Sequence, residues 1–177
     1  MIQFPRDRAS SLRYTAAPER RAHISKGNAL LYFAYTARIE PFKMAEVAPG
    51  ATFEFIAHLQ EWTLEFPISG NGWNGGLPTV NPNQTDTVWG AVFTVPDDEI
   101  GAIDAVEAKE QRQRAVVEAI DRTGGRHQVA THRANDIGTK PLHPAPDYVA
   151  LMLAGSRHWE LPAGWILRLE DHLEPTG

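Results

Sequence analysis

The chain has 177 residues, of which 42% are hydrophobic, and this is enough for one domain with a buried core. Its formal net charge is -5, and no apolar run is long enough to cross a bilayer, so neither nucleic acid nor membrane is an expected partner. Cysteine is absent, which excludes disulfides, thiolate catalysis and zinc sites built on cysteine. The cytoplasm is the expected location.

The first 28 residues differ in character from the rest of the chain. They contain five arginines against two acidic residues, and they lack the apolar segment of a secretory signal. We expect residues 1–28 to form an arginine-rich surface arm, and a transit peptide is the alternative. Residues 29–177 show neither an internal repeat nor a linker, so they are predicted to form a single domain.

The first half of this domain is typical of β-structure. The uncharged run at 30–35 predicts the first strand. Alternating apolar residues over 51–66 predict one long bent strand or two strands joined by a bulge. Glycine, asparagine and proline make 69–83 turn-like, and a further strand is predicted at 86–95.

The second half mixes helices with a hairpin. Segment 96–108 opens with Pro-Asp and carries apolar residues at a spacing of three, which predicts a short helix. Two strands around the Gly-Gly turn at 124–125 predict a hairpin, and helical patterns follow over 145–162 and 163–173. This order is not the alternation of a doubly wound sheet. It predicts an α+β domain, a small mixed curved sheet or barrel with a few packed helices.

No cofactor or metal is expected from the motifs. His127 and His132 would lie on opposite faces of one predicted strand, which is poor geometry for a shared metal. The glycine-rich stretch 70–76 is followed by Leu-Pro rather than by a helix, which argues against a phosphate-binding loop.

Glu107 is the candidate catalytic residue. It follows Ile103 by four residues and Ile100 by seven, so a helix would place it on its apolar face. Loss of water would raise the pKa of this carboxyl toward the range of a general acid/base. The alternative is that the helix ends at Val106 and Glu107 opens a solvated charged run.

Six motifs in serial order resemble those of the γ-glutamylcyclotransferase-like (AIG2-like) superfamily. The match runs from about residue 30 to about residue 170. The first motif departs from the Tyr-Gly-Ser-Asn loop of that superfamily, because Thr36, Ala37 and Arg38 follow Tyr35. The matching segments are Tyr32-Phe33-Ala34-Tyr35, the strand at 55–66, Trp73 with Gly75, Gly76 and Thr79, Val88-Trp89-Gly90, Ile103 with Asp104 and Glu107, and Pro146 to Tyr148 with Gly155 and Leu161-Pro162.

The resemblance implies the γ-glutamylcyclotransferase-like fold and a small-molecule substrate, without a cofactor. Members close the α-amine of a γ-glutamyl amide onto its γ-carbonyl, which releases 5-oxoproline and an amine. It implies that Glu107 is the catalytic acid/base. It implies substrate contacts from the loop after β-strand 30–35 and from one helix residue, namely Tyr35, Thr36, Ala37, Arg38 and Tyr148. A homodimer is kept as a possible assembly.

Two departures leave the chemistry open. The loop has lost its glycine, which allows a close backbone approach, and Arg38 adds a forked cation. Arg114 stands near the position where many members have a tyrosine about seven residues after the catalytic glutamate. Arg38 and Arg114 either build a different anion site for another acyl group or are solvent-facing replacements.

Three functions are therefore compared. The first is a cyclotransferase-like lyase acting on a γ-glutamyl amide or a related acyl-amine, with Glu107 as acid/base. The second is an enzyme of altered chemistry on the same fold, in a specialised metabolic pathway. The third is a non-catalytic ligand-binding module, which the changed loop would explain. An enzyme is favoured because a buried carboxylate costs stability that a scaffold gains nothing from keeping.

Overall fold

The structure is a computed structural model that describes residues 28–70, 72–135 and 140–173. Residues 1–27 of the predicted arm lie outside the described residues. Within the described part, every helix is too short or too polar to span a bilayer. The strands are β1 (Ala29–Ala34), β2 (Thr52–Ile68), β3 (Leu77–Pro96), β4 (Gln113–Asp121) and β5 (Arg126–Arg133). The helices are α1 (Pro41–Ala45), α2 (Ile100–Lys109), α3 (Pro146–His158) and α4 (Ala163–Asp171), and a 3₁₀ turn spans Ala37–Ile39.

The five strands form a closed barrel in the order β1-β3-β2-β4-β5. Neighbours are antiparallel except β1 and β5, which pair in parallel with Tyr32 opposite Ala130 and so close the barrel. Inward-facing side chains such as Phe33, Leu59 and Val92 are fully buried and form the core. The α+β prediction, a small barrel with a few packed helices, is confirmed.

Strands β2 and β3 form a long antiparallel ribbon, from Thr52 opposite Thr94 to Ile68 opposite Leu77. Register shifts interrupt it, so the prediction of one long bent strand is confirmed. The predicted turn at 69–83 is wrong in its second half, because β3 already begins at Leu77. Pairing with β2 outweighs the turn-forming asparagines and prolines there, as sheet context often overrides local preference.

Helix α3 packs against the 3₁₀ turn at Gly155. A Cβ at this position would lie 2.5 Å from the backbone carbon of Ile39 and 2.6 Å from the nitrogen of Glu40. The Trp159 indole nitrogen, just after α3, donates a hydrogen bond to the Ile39 carbonyl at 2.8 Å. The segment after β1 is thus held in place by close contact with a helix.

Replacing Gly155 with Ala is expected to destabilise the fold by about 1–3 kcal/mol, because the methyl group forces backbone segments apart. Gly101 in α2 is the matched control, since nothing lies within 4 Å of its added Cβ. There Ala is expected to stabilise by about 0.5–1 kcal/mol. Urea unfolding of both variants measures the difference, and equal effects would contradict the close contact.

Candidate active site

Glu107 lies on the buried face of α2. Together with Ile100 and Ile103 it is one of the three buried residues of this helix, and its side chain is fully removed from water. Because α2 continues to Lys109, the alternative in which the helix ends at Val106 is ruled out. The predicted burial of this carboxylate is therefore confirmed.

The end of α2 brings a second charged residue back onto Glu107. The Arg112 amide donates to the Glu107 carbonyl at 3.0 Å, and the Gln111 amide donates to that of Ala108 at 3.0 Å. Gln111 has φ 60°. These two bonds and the left-handed conformation of Gln111 define a Schellman motif. In such a motif the residue after the turn, here Arg112, packs its side chain against a residue of the last helical turn, here Glu107. In this protein the two side chains form an ion pair instead of the usual apolar contact.

Arg112 is fully buried and makes four hydrogen bonds within the described residues. Its Nε donates to Glu107 Oε2 at 2.5 Å, and its Nη1 donates to the Pro78 carbonyl at 2.7 Å. Its Nη2 donates to Glu110 Oε2 and, at 2.9 Å, to the Tyr148 hydroxyl. One guanidinium therefore faces two carboxylates, and the buried group carries one more formal negative charge than positive.

The pKa of Glu107 is lower than its ordinary value of 4.5. Burial is the largest single influence and raises the pKa, but the charge and hydrogen bond of Arg112, with smaller contributions from His132 and Thr36, outweigh it. The predicted rise of this pKa is thus wrong for the ligand-free protein. The sequence pattern predicted that Glu107 is buried, but it did not predict that Arg112 would lie beside it and offset the effect of burial on its pKa.

The segment after β1 contacts Glu107 through one residue. Thr36 is buried, and its hydroxyl donates to Glu107 Oε1 at 3.0 Å. The amides of Arg38, Ile39 and Glu40 all bond within the 3₁₀ turn, to Thr36 Oγ1 and to the carbonyls of Thr36 and Ala37. These three amides are therefore engaged within the turn.

Arg38 is buried, but it does not contact Glu107. Its Nη1 donates to the Lys43 carbonyl at 3.0 Å, and its Nε has no hydrogen-bond partner among the described residues. Ala37 is fully buried in the 3₁₀ turn. The interpretation of Arg38 as a solvent-facing replacement is therefore wrong.

Three further residues predicted to contact substrate, Tyr148, Tyr35 and Arg114, have partners other than Glu107. The Tyr148 hydroxyl donates to Glu110 Oε2 at 2.7 Å. Tyr148 therefore belongs to the same buried cluster as Arg112 and its two carboxylate partners. The Tyr35 hydroxyl donates to the His132 carbonyl at 2.6 Å. Arg114 is partly exposed and forms an ion pair with Asp104, and the structure does not bring it to Glu107.

A hydrogen-bonded chain runs from buried Tyr32 on β1 through His132 on β5 to Asp104 on α2. The Tyr32 hydroxyl lies 3.0 Å from His132 Nδ1, and His132 Nε2 lies 2.8 Å from Asp104 Oδ1. Burial lowers the pKa of His132, and burial and the charge of Glu107 raise the pKa of Tyr32. His127 Nε2 lies 2.7 Å from Asp121 Oδ2 instead.

One pocket reaches the ion pair from outside. It has a volume of about 290 Å³ and is lined by Asp104, Ala108, Arg112, Gln113, Arg114 and His132. Arg112 lines this pocket, and Glu107 does not. No group of three histidine, aspartate or glutamate side chains in the described part of the chain could hold a metal ion.

Arg112, Glu110 and His132 were missed by sequence reasoning. The five-residue spacing of Glu107 and Arg112 fits a helix C-terminus of the Schellman type, but glutamine replaces the glycine that usually marks it. For His132 the sequence argued against a shared metal site and indicated a surface or hydrogen-bonded polar residue, but it did not identify Tyr32 and Asp104 as the partners.

Acid is expected to weaken the fold through Glu107. Its pKa is lower in the folded than in the unfolded chain, so the folded state binds fewer protons. This contribution is complete above the ordinary pKa and is lost as the pH falls through the folded pKa. The free energy of unfolding should therefore fall less between pH 5 and pH 3, a window set by the ordinary value of about 4.5, in Glu107→Gln than in the wild type. An exposed control, Glu118→Gln, should follow the wild type, and parallel curves for all three would contradict the shift.

Comparison with known proteins identifies the fold. No family model matches the chain. The gamma-glutamylcyclotransferase of Bos taurus is 24% identical over 154 residues, which cover 85% of this chain and 81% of that protein. The gamma-glutamylcyclotransferase of Mus musculus is 26% identical over 158 residues, covering 85% and 82%.

A solved structure named gamma-glutamyl cyclotransferase superposes with a TM-score of 0.77 at 23% identity and covers 85% of this chain and 92% of its own. The resemblance drawn from the motifs is confirmed, and the chain has the fold of the γ-glutamylcyclotransferase-like superfamily.

Proposed function

We propose that this protein is a cyclotransferase-like lyase that acts on a γ-glutamyl amide or a related acyl-amine, with Glu107 as acid/base. The observation that carries the proposal is the position of Glu107. It is a fully buried carboxylate on α2, and it is bonded to Thr36 of the loop that leaves β1. The similarity to gamma-glutamylcyclotransferases over most of both chains supports the same chemistry.

The reaction requires little beyond alignment and proton transfer. The substrate's α-amine and γ-carbonyl belong to one molecule, and holding the ring-closing conformer can supply several kcal/mol, on the order of 7 or more in the best cases. The ionised Glu107 accepts a proton from the α-ammonium, and the free amine then attacks the γ-carbonyl. The same carboxyl returns the proton to the leaving nitrogen as the old amide bond breaks, and the ring nitrogen loses its second proton to the regenerated carboxylate or to water.

The surroundings of Glu107 suit this cycle. Thr36 donates to one carboxylate oxygen and holds the group in a fixed orientation. Burial raises the pKa of Glu107 and Arg112 lowers it, so any movement of Arg112 shifts the pKa toward the range of an acid that can also donate. The protein thus has a base in the resting state and an acid available during turnover.

The test is incubation of the full chain with a panel of γ-glutamyl amines, followed by assay of released 5-oxoproline and free amine. We expect stoichiometric release of both from at least one member of the panel. Absence of 5-oxoproline across the panel, with folded protein, would reject the lyase.

A non-catalytic binding module is the second candidate, and one observation favours it. Glu107 is fully buried and bonded to Arg112, and it does not line the pocket that Arg112 lines. A module of this kind would gain thermal stability with γ-glutamyl compounds without consuming them. Turnover of any of these compounds would exclude it.

A further inference from the structure

The proposed ring closure removes two protons from one nitrogen. The substrate's α-ammonium gives the first proton to Glu107, which returns it to the leaving nitrogen, and the ring nitrogen must then lose a second proton. Glu107 and Arg112 are fully buried, so bulk water does not reach this carboxylate. If Glu107 kept the second proton, Arg112 would lose part of the negative charge that compensates it. The reaction therefore favours a second proton acceptor near Glu107.

His132 on β5 has the surroundings of such an acceptor. Its side chain is 1% exposed, and each ring nitrogen faces a polar partner. Nδ1 lies 3.0 Å from the Tyr32 hydroxyl oxygen, and Nε2 lies 2.8 Å from Asp104 Oδ1. The imidazole therefore connects a buried hydroxyl on β1 with a carboxylate on α2.

The two ring nitrogens differ because their partners differ. Burial raises the pKa of Asp104, but hydrogen bonds from Arg114 and His132 outweigh it and lower this pKa. An ionised carboxylate only accepts hydrogen bonds, so His132 Nε2 donates to Asp104. Nδ1 then accepts from the Tyr32 hydroxyl when the ring is neutral and donates to it when the ring is charged. His132 can thus gain and lose a proton at Nδ1 while both hydrogen bonds persist.

We propose that His132 is a second proton acceptor of the site, which takes a proton at Nδ1 through the Tyr32 hydroxyl and is stabilised in its charged form by Asp104. This role rests on the proposed function. One N–H bond of the ring nitrogen breaks and leaves its electron pair on that nitrogen. The proton adds to the Tyr32 oxygen while the hydroxyl proton moves to Nδ1. The reverse transfer protonates the departing amine, so this amine gains both protons that the substrate's ammonium loses.

The charges around His132 act in both directions. Burial lowers the pKa of His132, the charges of Glu107 and Asp104 raise it, and the charge of Arg112 lowers it. An ionised Glu107 therefore favours the charged ring. The groups that face His132 come from three parts of the chain, namely the Tyr32 hydroxyl on β1, the Asp104 and Glu107 carboxylates on α2, and the guanidinium groups of Arg112 and Arg114 around the start of β4.

These charges also set the order of the two transfers. While Glu107 holds the first proton its charge is gone, so a proton on His132 is disfavoured. Once Glu107 has returned that proton to the leaving nitrogen, its charge again favours a proton on His132. The cluster of Glu107, Glu110 and Arg112 then carries one more negative than positive charge, which a charged His132 balances.

The kinetic test is His132→Gln with the γ-glutamyl amine that the wild type converts best. Glutamine offers a donor and an acceptor but holds no proton, so kcat should fall about 100-fold at pH 8, as for loss of an acid/base group. The ratio of the wild-type kcat to that of the variant should shrink as the pH falls through the pKa of His132, which is below its ordinary 6.5, because a charged ring cannot accept a proton.

A constant ratio over the whole pH range would show a merely structural role and overturn the proposal. His127→Gln is the matched control, because His127 lies on the same strand and bonds to Asp121. This variant should keep the kcat and the pH profile of the wild type. Circular dichroism and the unfolding midpoint show that each variant is folded.

Tyr32→Phe tests the path of the proton. It removes the hydroxyl that faces Nδ1 and keeps the aromatic ring. The loss of kcat should match that of His132→Gln, and the double variant should lose no more than either single variant, because both residues act on one transfer. Losses that multiply in the double variant would overturn a shared path.

A further measurement needs no turnover. Nitrogen NMR of the full chain with isotopically labelled histidine reports which ring nitrogen carries the proton. We expect Nε2 to stay protonated throughout and Nδ1 to gain a proton as the pH falls. Glu107→Gln should lower the pKa of His132, because the carboxylate charge is removed. A neutral ring protonated at Nδ1, or a pKa of His132 that is the same in this variant, would overturn the proposal.

The second proton acceptor and the proposed function can be told apart when they fail. Absence of 5-oxoproline across the panel of γ-glutamyl amines would reject the lyase and the acceptor together. Release of 5-oxoproline at the wild-type kcat by both His132→Gln and Tyr32→Phe would keep the lyase and reject the acceptor alone.

Discussion

Glu107→Gln is expected to lower kcat for 5-oxoproline release by about 100-fold to 10,000-fold, the usual contribution of a general acid/base. Glutamine keeps the size of the side chain and still accepts hydrogen bonds from Thr36 and Arg112, the two partners of the carboxylate. What it loses is the capacity to take a proton from the ammonium and return it to the leaving nitrogen.

The measurement is kcat with the best γ-glutamyl amine of the panel, together with circular dichroism and the unfolding midpoint of the variant. Glu118→Gln is the control, because Glu118 lies on β4 in a partly exposed ion pair with Arg126. A kcat within a few-fold of the wild type, about the range of a non-catalytic contact, would remove Glu107 from the chemistry.

Arg112→Met is expected to destabilise the protein by about 3–5 kcal/mol, because it leaves buried carboxylates without their cation. Methionine is similar in length and apolar, so loss of packing contributes little. Glu107 and Glu110 are the groups left uncompensated, and the Tyr148 hydroxyl loses a donor. The free energy of unfolding in urea measures the effect.

A second substitution tests the cause. Adding Glu107→Gln to Arg112→Met should recover part of the lost stability, since one of the stranded charges is then gone. Arg126→Met, at an exposed ion pair, should cost no more than about 1 kcal/mol. A comparable cost for both arginine substitutions, or a double variant that is less stable than Arg112→Met, would show that the buried charges do not dominate.

The barrel and the place of Glu107 were predictable because they depend on periodic patterns. Apolar alternation marks β2, and the spacing of Ile100, Ile103 and Glu107 marks one face of α2. These patterns record which side of an element is buried. The buried face of a helix is marked by residues only a few positions apart, so a short stretch of sequence is enough to predict it.

The environment of that face was not predictable in the same way. The pKa of Glu107 depends on where the Arg112 side chain points, and this follows from the left-handed turn at Gln111. Glutamine rarely adopts that conformation, so the sequence carried no glycine to signal the turn. The 3₁₀ turn after β1 was also missed, because its residues are too few to show a period.

The parallel pairing of β1 with β5, which closes the barrel and is here called the seam, brings together residues that surround Glu107. The Thr131 hydroxyl donates to the Phe33 carbonyl at 2.8 Å across the seam, and the two residues are 98 positions apart. Thr36 follows β1, while His132 belongs to β5 and influences the acidity of Glu107 from the other side.

In a chain whose seam is open, we expect Glu107 to be more accessible to water, because Thr36 and His132 lie on either side of the seam. Closing the seam carries the large entropy loss of joining distant segments, so it is expected to be a late step in folding. We therefore expect the carboxylate to lose water as the barrel is completed. Partly folded chains are then expected to lack the buried carboxylate on which the proposed function depends.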